Sequence, residues 1–512
     1  MNILNTIYLT AVRELIKEIT RTMENPLDFQ QRWFMRLVSS GKESKFGSEH
    51  NFCKMGGDYR EALKYYQENV PVRDYNAFAP YIEEIRKGKE YILWNDKVKW
   101  FAKSSGTSSD KSKYIPITPE SLNITHYGGF KRMLGWYVAN HSESRIFNGK
   151  ALTLGGSVVP EISGNVKRYS GDLSAVLLKN SPFIVELLRT PSRKSALIAD
   201  FTKKVEMICR ECSRENVTNF SGVPSWNLIL LNKILEYTHA QNISEVWPDM
   251  ELFMHGGIGF APYREIYKKL IPSHRMHYLE NYNASEGYFA FQDNETIDSM
   301  LLTVNNGIFY EFIPMDIFSE VISGKIRRIP TLEEVRCGVE YAVVLTSCGG
   351  LWRYLIGDCV KFTSLFPHRI QITGRTQLYI NAFGEELMIS NAEKALSITC
   401  RECNCAVSDF TAAPVFMESG KKGYHRWAIE FSKRPESVGE FTERLDRHLT
   451  EVNSDYEAKR KNNATMEMPE VIELPAGTFY RWMESRGKAG GQNKVPRLYK
   501  DLRFIEELVK LQ

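Results

Sequence analysis

The sequence predicts an α/β protein in which a large N-terminal domain of mixed sheets and helices precedes a smaller C-terminal α+β domain. Its 512 residues exceed what one hydrophobic core usually organises, so two or more domains are expected. The apolar runs 151–154 and 251–255 are each followed by a Gly-Gly pair and predict buried strands that turn at these glycines. Open α/β sheets bind ligands at such carboxyl ends of strands. The pattern changes after Gly374-Arg375, so we assign residues 1–375 to the large domain and 376–512 to the small one.

Periodicity predicts the main elements of the large domain. Residues 1–90 carry apolar side chains at helical intervals, and 222–237 is a helical pattern with a proline at its start. The segment 300–314 alternates around Asn305-Asn306-Gly307, which is typical of a hairpin turn. We therefore expect the two halves of 300–314 to pair with each other.

Composition excludes several classes of protein. Hydrophobic residues make up 43% of the chain and charged residues 25%, which is ordinary for a globular protein. A net charge of +4 argues against a nucleic-acid partner bound mainly by electrostatics. The sequence contains no apolar run of bilayer length and no signal-peptide pattern at its N-terminus, so we expect a cytoplasmic protein without a membrane partner.

Cysteines and histidines offer only weak metal-binding patterns. The nine cysteines are an odd number and do not indicate a disulfide framework. Cys209-x2-Cys212 and Cys400-x2-Cys403 can in principle supply four thiolates to zinc, but the pairs lie far apart and the first falls in a helical pattern. Buried, inert thiols are the preferred interpretation. His274-x2-His277 does not match the spacing of a helical zinc site.

The most informative segment is the loop that begins at residue 104. It combines hydroxyl groups, a glycine and lysines, contributed by Ser104, Ser105, Gly106, Thr107, Ser108, Lys111 and Lys113. Backbone N–H groups, hydroxyls and lysines in such a loop can surround the phosphates of a nucleotide. The spacing is not that of a Walker A loop, and a solvated Ser-rich linker is the alternative that this segment leaves open.

Two further segments carry groups that suit a nucleotide. In Tyr282-Asn-Ala-Ser285-Glu286, the tyrosine can stack on a base, the serine can reach a phosphate oxygen and the glutamate can bind Mg²⁺. The alternative for this segment is a polar hairpin tip. Asp358 follows Gly357 at a predicted strand and can accept hydrogen bonds from ribose hydroxyls. The alternative for Asp358 is a turn residue that caps its own backbone.

Two basic residues near the second domain complete the candidate set. Arg375 at the domain boundary can clamp a phosphate, with an ordinary interdomain ion pair as the alternative. Lys494 lies in the glycine-containing loop 490–497, and a lysine on such a loop can move into a site when domains close. A solvated surface lysine is the alternative there.

In this order, the segments resemble those of a bacterial member of the Gretchen Hagen auxin-responsive acyl-acid amido synthetases, a family of the acyl-adenylate-forming superfamily. The resemblance covers nearly the whole chain and rests on Ser104–Pro116, Gly222–Trp226, His255–Gly257, Tyr282–Glu286, Tyr354–Asp358 and Asn493–Arg497. One position departs from the family, because Asp110 stands where a glycine often precedes the first lysine of the phosphate loop.

The resemblance implies an enzyme that uses ATP to convert a carboxylic acid into an acyl-adenylate, releasing pyrophosphate. It then transfers the acyl group to an amine, usually that of an amino acid, and releases AMP. The resemblance implies that the 104–113 loop holds the β,γ-phosphates, Ser285 the α-phosphate and Glu286 a Mg²⁺ ion. Tyr282 would lie against the adenine, and Asp358 would hold the ribose.

The resemblance also implies that Lys494 contacts the α-phosphate or the substrate carboxylate, and that the small domain rotates between the two steps. An acyl-CoA ligase with the same ATP site is one alternative function. A non-catalytic nucleotide-binding homologue is another, and it is disfavoured because Glu286, Asp358 and Lys494 are all present. The sequence does not identify the acid, the amine or the oligomeric state.

Overall fold

The computed structural model of the chain describes these residues: 3–104, 113–163, 166–260, 263–376, 379–417, 422–461, 465–485 and 496–511. Within these ranges, helices form the N-terminal part, a large mixed sheet occupies the middle, and a small sheet with helices follows. This arrangement confirms the predicted α/β class. None of the helices in these ranges combines the length and apolar character that crossing a membrane requires.

The N-terminal part folds as predicted into helices, which are α1 (Ile3–Glu24), α2 (Pro26–Gly41), α3 (Lys45–Glu49), α4 (Tyr59–Asn69) and α5 (Tyr75–Arg86). Local signals set where they begin. Pro26 occupies the first turn of α2, and the side chains of Asp58 and Asp74 accept hydrogen bonds from the first backbone N–H groups of α4 and α5. The helices bury Phe34 and Phe78 in a core shared with the large sheet.

The large domain continues with strands and helices. Its strands are β1 (Trp100–Ser104), β2 (Lys113–Ile117), β3 (Lys150–Thr153), β4 (Val158–Ser163), β5 (Val166–Gly171), β6 (Arg189–Thr190), β7 (Val217–Gly222), β8 (Leu252–His255), β9 (His277–Ala284), β10 (Gly287–Phe291), β11 (Met300–Leu302), β12 (Ile308–Pro314), β13 (Glu340–Ser347), β14 (Tyr354–Leu365) and β15 (His368–Arg375). Its further helices are α6 (Gly128–Asn140), α7 (Leu173–Asn180), α8 (Phe183–Leu187), α9 (Arg193–Ala196), α10 (Phe201–Cys212), α11 (Pro224–Thr238), α12 (Ile243–Val246), α13 (Arg264–Leu270) and α14 (Phe318–Ile322).

Most of these strands form one mixed sheet with the order β12-β13-β14-β15-β11-β10-β9-β8-β7-β3-β6, and a smaller sheet has the order β2-β1-β5-β4. Strands β3, β7, β8 and β9 run parallel to their neighbours in this group. Their carboxyl ends therefore lie at one edge, where the Gly155-Gly156 and Gly256-Gly257 pairs follow β3 and β8. The structure confirms the two predicted buried strands and the helix that starts at Pro224.

The predicted hairpin at 300–314 is wrong. Strand β11 pairs with β10 and β15, whereas β12 pairs with β13. The Asn306 side chain instead donates to the carbonyl of Tyr288 at 2.6 Å, and the carbonyl of Gly307 accepts from the N–H of Cys348 at 2.9 Å. Gly307 has φ +82°, and a Cβ there would meet Cys348 Sγ at 2.6 Å. The Asn-Gly signal thus marks a real turn, but the turn joins two strands that are separated in the sheet.

The small domain contains β16 (Tyr379–Ile380), β17 (Leu387–Met388), α15 (Ile389–Glu402), β18 (Ala406–Val415), β19 (Tyr424–Lys433), α16 (Val438–Val452), α17 (Ser454–Arg460), β20 (Glu470–Leu474), α18 (Thr478–Ser485) and α19 (Arg503–Val509). It packs directly against the large domain. The hydroxyl of Tyr263 donates to the carbonyl of Ala382 at 2.6 Å, and the Lys459 ammonium lies 4.4 Å from the ring centroid of Trp226. The boundary at residue 375 stays a prediction.

The first cysteine pair is buried as expected, whereas Cys400 and Cys403 are only half-buried. Cys209 and Cys212 are buried in α10 among apolar side chains, and burial raises the pKa of Cys209 to about 11 and that of Cys212 to about 12. In the described ranges, no cysteine belongs to a group of three or more potential metal ligands. These thiols therefore behave as small apolar side chains.

Arg353 and Glu311 form an ion pair inside the core. The Arg353 side chain is fully buried, and its Nε and Nη2 atoms lie 3.0 Å from the two oxygens of Glu311. Its Nη1 atom donates to the carbonyls of Gln67 and Val70, at 3.0 and 2.7 Å. This pair ties the end of α4 to the large sheet. Arg353 thus has a structural position, although it belongs to the sequence segment that contains Asp358.

Replacing Arg353 with leucine should strongly destabilise the fold, because Glu311 would keep a buried charge without its cation. We expect the free energy of unfolding to fall by about 3–5 kcal/mol, seen as a lower urea midpoint. The matched control is Arg328→Leu, which removes an exposed pair with Glu334 and should cost less than about 1 kcal/mol. Equal shifts in the two variants would contradict the proposed importance of the buried pair.

Candidate active site

Three of the predicted site residues meet at the ends of β9, β14 and β15. The hydroxyl of Tyr282 donates to Oδ2 of Asp358 at 2.5 Å, and Nε of Arg375 lies 2.7 Å from Oδ1 of the same carboxylate. Asp358 is 7% exposed and Tyr282 5%. Burial and the Asp358 anion raise the pKa of Tyr282 well above its usual value, so the phenol stays protonated and donates to the carboxylate.

A bulge in β14 directs Asp358 toward this cluster. Ala342 pairs with Cys359 and Val344 with Leu355, so that residues 356–358 lie opposite a single residue of β13. Gly357 has φ +95° within the bulge, a conformation that favours glycine. The positive φ of Gly357 thus directs the Asp358 carboxylate toward Tyr282 and Arg375. Asp358 does not act as the cap of a simple turn.

The hairpin between β9 and β10 carries two more predicted residues. Ser285 and Glu286 form the two-residue turn that follows Ala284, so the segment is a polar hairpin tip as well as a candidate site. Glu286 accepts a hydrogen bond from the hydroxyl of Tyr354 at 3.1 Å. Burial raises the pKa of Glu286, although the Lys113 ammonium opposes this change. The net pKa stays raised, because burial disfavours the carboxylate more than Lys113 stabilises it.

Tyr282 presents its hydroxyl, and not a free ring face, to the cluster. Its ring packs in the core and lies 4.7 Å from the ring of Phe289 between centroids. The predicted contact of this ring with an adenine stays a prediction, because the ring is almost covered in this conformation.

Lys113 links the serine-rich loop to the same cluster. It begins β2, lies opposite Ser104 in the β1–β2 ladder and is 7% exposed. Burial lowers the pKa of Lys113, whereas the carboxylates of Glu286 and Asp358 act in the opposite direction. Both ends of the loop therefore lie beside the acidic residues. Ser105, Gly106, Thr107, Ser108 and Lys111 lie outside the described residues.

One contributor to the cluster carried no functional signal in the sequence. Tyr75 of α5 accepts a hydrogen bond from the N–H of Tyr114 at 2.8 Å, and its ring centroid lies 5.9 Å from Nζ of Lys113. It belongs to the N-terminal helices, which the sequence identified only by their periodicity. A tyrosine in a helix gives no indication that it supports a loop in the next part of the chain.

Arg375 also reaches the small domain. Its Nη2 atom lies 3.9 Å from Oε1 of Glu386, so the guanidinium stands between Asp358 and the segment 381–386. The neighbouring Glu385 is fully buried, with Oε1 at 2.7 Å from Nε2 of His425 and Oε2 accepting from the N–H of Phe383 at 2.6 Å. The interdomain ion pair considered for Arg375 is therefore present, although the tighter contact is to Asp358 within the large sheet.

Lys494 lies outside the described residues, but the chain that follows it is placed. The Arg497 guanidinium pairs with Asp409 and lies 4.7 Å from the ring centroid of Phe410. The carbonyl of Arg497 accepts from the N–H of Ala412 at 2.9 Å. This end of the loop is anchored on β18, beside a groove of about 680 Å³ that contains none of the predicted site residues.

A buried histidine stands at the carboxyl end of β8. His255 is 2% exposed, and its ring stacks on Phe260 with centroids 4.1 Å apart. Neither ring nitrogen has a hydrogen-bond partner among the described residues. Burial and Arg264 lower the pKa of His255 to about 3, so the imidazole is neutral. At the carboxyl end of β8, the described surroundings of His255 are thus mainly apolar, and its own ring is an uncharged polar group.

Changing Glu286 to glutamine should stabilise the protein at neutral and alkaline pH in the absence of nucleotide and metal. The folded-state pKa of Glu286 is raised above the usual 4.5, so the unfolded chain loses this proton at a lower pH than the folded chain does. Above that pH the ionised side chain destabilises the fold, and the penalty disappears as pH falls below the usual pKa.

We expect Glu286→Gln to raise the thermal midpoint at about pH 8 and to leave it unchanged near pH 3.5, where glutamate is protonated in both states. The control variant is Glu265→Gln, because Glu265 is exposed and pairs with Lys268 on the surface. Its thermal midpoint at about pH 8 should not rise. A lower midpoint for Glu286→Gln at pH 8 would contradict this account.

Comparison with known proteins places this arrangement in a family. Family models match along the chain, namely the GH3 family N-terminal domain at residues 15–161 and 158–276, the GH3 family central domain at 301–375 and the GH3 family C-terminal domain at 390–503. Similar proteins include the indole-3-acetic acid-amido synthetase GH3.8 of Oryza sativa subsp. indica, which is 22% identical over 88% of this chain and 85% of its own. Jasmonoyl–L-amino acid synthetase JAR4 of Nicotiana attenuata is 24% identical over 84% of each chain.

Solved structures share the fold. The AtGH3.15 acyl acid amido synthetase in complex with 2,4-DB superimposes with a TM-score of 0.59 and 17% identity, over 98% of this chain and 96% of its own. A 2-hydroxyisobutyryl-CoA ligase in its thioesterification state gives a TM-score of 0.55 and 12% identity, over 98% and 93%. The family models span the large and the small domain, and the chain belongs to the GH3 family.

Proposed function

We propose that this chain is an ATP-dependent acyl-acid amido synthetase. A carboxylate oxygen of the substrate attacks the α-phosphorus of ATP, and the bond to pyrophosphate breaks with both electrons leaving on pyrophosphate. The amine of an amino acid then attacks the acyl carbonyl, loses a proton and displaces AMP. The observation that carries the proposal is the convergence of Lys113, Tyr282, Glu286, Asp358 and Arg375 from separate segments of the chain.

The cluster separates a ribose side from a phosphate side. Asp358 accepts from Tyr282 and pairs with Arg375, yet a carboxylate has further lone pairs that can accept ribose hydroxyls. Tyr282 fixes the orientation of Asp358 through its hydroxyl, and its ring would lie against the adenine once the nucleotide is bound. On the phosphate side, Lys113 and the 104–112 segment, with Ser105, Gly106, Thr107, Ser108 and Lys111, provide cations, hydroxyls and backbone donors for the β,γ-phosphates.

Ser285 and Arg375 complete the phosphate side. Ser285 lies beside Glu286 at the hairpin tip, from which its hydroxyl can donate to the α-phosphate. Arg375 can turn from Asp358 toward the same phosphate, because its guanidinium already bridges Asp358 and Glu386. Concentrated positive charge stabilises the negative charge that accumulates at phosphorus during transfer.

The residues present fit a magnesium ion at Glu286. This carboxylate is partly buried, and burial raises its pKa, so an adjacent divalent cation would favour its ionised form. Oxygen donors from one carboxylate and from phosphates are the usual ligands of Mg²⁺. When bound, the ion supplies charge neutralisation for the phosphates and the departing pyrophosphate. Glu286 holds it, while Tyr354 positions Glu286 through its hydroxyl.

The second step requires an amine to reach the acyl carbonyl, and we propose that the small domain moves for this purpose. Lys494 travels with that domain, because its loop is anchored on β18 through Arg497. The 3.9 Å pair between Arg375 and Glu386 is weak enough to open when the domain rotates. Adenylation would use Lys494, and amide formation would follow after the loop has left.

The acid itself is proposed to bind beside the carboxyl ends of β7 and β8. Trp226 is partly exposed there, and Phe260 stacks on the neutral His255, with both side chains almost fully buried in this conformation. These features suit an acid with an apolar body.

We also propose a cytoplasmic location and a bacterial origin within the acyl-adenylate-forming superfamily, consistent with 22–24% identity to the plant relatives. The 2-hydroxyisobutyryl-CoA ligase with a similar fold supports the superfamily assignment.

An acyl-CoA ligase remains the second candidate, because a CoA ligase has nearly the same TM-score as the amido synthetase. The GH3 family models favour the amide-forming activity. A panel of carboxylic acids should first be screened for pyrophosphate release. The best acid is then combined with amino acids or with CoA, and the proposal requires amide formation without CoA. Thioester formation without amide would establish the rival function.

Asp358→Asn and Glu286→Gln should each lower the rate of ATP–pyrophosphate exchange about 10²–10³-fold, which corresponds to the loss of roughly 2–4 kcal/mol of transition-state stabilisation. The assay uses the best acid from the panel, with circular dichroism to verify folding. Glu265→Gln, on the exposed surface of α13, is the matched control and should retain the wild-type rate. Near wild-type exchange in both site variants would refute the assignment and favour a non-catalytic homologue.

Lys494→Ala should slow adenylation more than amide formation. The two steps are separated by measuring pyrophosphate release with ATP and, independently, amide formation from preformed acyl-adenylate. We expect the first rate to fall about 100-fold and the second to change little, because the lysine serves only the closed state. Equal losses in both rates would contradict the assigned role.

A further inference from the structure

Two histidines and a glutamate meet on the surface of the large domain, away from the adenylating cluster. His141 follows the last residue of α6, His277 is the first residue of β9, and Glu295 lies in the loop after β10. One ligand atom from each residue lies within 4.8 Å of the others. We propose that His141, His277 and Glu295 form a binding site for a divalent transition metal, with Zn²⁺ as the ion that suits these donors.

The distances fit the coordination shell of one small ion. His141 Nε2 lies 3.0 Å from Glu295 Oε1, and His277 Nδ1 lies 2.9 and 2.8 Å from the two oxygens of Glu295. Two donors bound to one tetrahedral Zn²⁺ at about 2.0–2.1 Å are separated by roughly 3.3 Å. An ion between Glu295 and each histidine therefore requires these pairs to separate by about 0.3–0.5 Å. One ligand nitrogen of each histidine lies within 4.8 Å of the other.

The hydrogen bonding of His141 leaves the correct nitrogen available. Its Nδ1 atom lies 2.8 Å from the carbonyl of Tyr137, and a carbonyl only accepts, so Nδ1 carries the proton. Nε2 is then the ring nitrogen that can bind a metal, and it lies 3.0 Å from Oε1 of Glu295. Metal-binding histidines commonly donate their other N–H to a carbonyl in this way.

The loop that carries Glu295 is held in place by contacts of its neighbour Asp293. Arg369 pairs with the neighbouring Asp293 at 2.6 Å, and the indole of Trp136 donates to the Asp293 carbonyl at 3.1 Å. The three donors thus come from separate elements whose positions are fixed by other contacts.

The donor set is that of a site with an open position. Two imidazoles and one carboxylate are a common set of three protein ligands for Zn²⁺, with water as the fourth ligand. The side chains of His141, His277 and Glu295 are 29, 26 and 35% exposed, so an ion can enter from solvent. A bound ion would connect the end of α6 to the start of β9 and to the loop after β10.

The proposed metal site is independent of the proposed function. His277 begins β9 and Ser285 follows its last residue, so the metal site and the hairpin tip are eight residue steps apart along an extended strand, or roughly 27 Å. The spacing His274-x2-His277 was visible in the sequence, but the structure uses only His277 and takes the second histidine from α6. His274 is exposed and supplies a matched control.

The test is a Zn²⁺ titration of the full-length protein after removal of metals with a chelator, followed by calorimetry and by elemental analysis of the dialysed protein. We expect one Zn²⁺ per chain. Because losing a supporting group already weakens metal binding about 10–100-fold, His277→Gln and Glu295→Gln should each lose at least this much affinity. The control variant His274→Gln should bind like the wild type.

A second readout guards against variants that fold poorly. Zn²⁺ should raise the thermal midpoint of the wild type and of His274→Gln, because the ion binds the folded state, and should not raise that of Glu295→Gln. Co²⁺ should give the visible absorption of a four-coordinate site in the wild type and in His274→Gln, but not in Glu295→Gln. Absence of stoichiometric binding, or equal affinity in the wild type and Glu295→Gln, would overturn the proposal, whatever the result of the exchange assay.

Discussion

The contact between Tyr282 and Asp358 constrains the shape of the whole large domain. Strands β14, β15, β11, β10 and β9 follow one another across the sheet, so β14 and β9 would lie about 19 Å apart in a flat sheet. The Tyr282 hydroxyl nevertheless lies 2.5 Å from the Asp358 carboxylate. The sheet must therefore coil strongly past the three-residue strand β11, and this coiling brings together segments that are distant in sequence.

The coiled edge concentrates opposing charges in a partly buried space. Asp358 and Glu286 carry negative charge there, while Lys113 and Arg375 carry positive charge. The pKa changes of Lys113 and Glu286 both arise first from burial, which disfavours each charged form. Under the proposed function, phosphates would stabilise the charged forms of Lys113 and Arg375, and a cation would stabilise the ionised form of Glu286. Perturbed pKa values of this kind occur at functional sites and support the proposal that this cluster binds a charged ligand.

Periodicity and turn chemistry predicted the helices of the first 90 residues, the buried strands that end in Gly-Gly pairs and the helix at Pro224, because each depends on local residue order. Strand neighbours could not be predicted in this way, and the Asn305-Gly307 turn shows why: it joins β11 to β12, which lie apart in the sheet. Asp358 was recognised, although its bulge was not. The position of Tyr75 beside Lys113 and the His141–His277–Glu295 group depend on tertiary contacts, so no local sequence pattern predicts them.

The central claim is that this cluster binds one nucleotide, and a crystal structure with a non-hydrolysable acyl-adenylate analogue tests it most directly. The account predicts the ribose hydroxyls within hydrogen-bond distance of Asp358 and the phosphate-mimicking group beside Ser285, with Arg375 turned toward it. A structure with the analogue bound elsewhere, and with the Tyr282–Asp358–Arg375 contacts unchanged and untouched by ligand, would contradict the account.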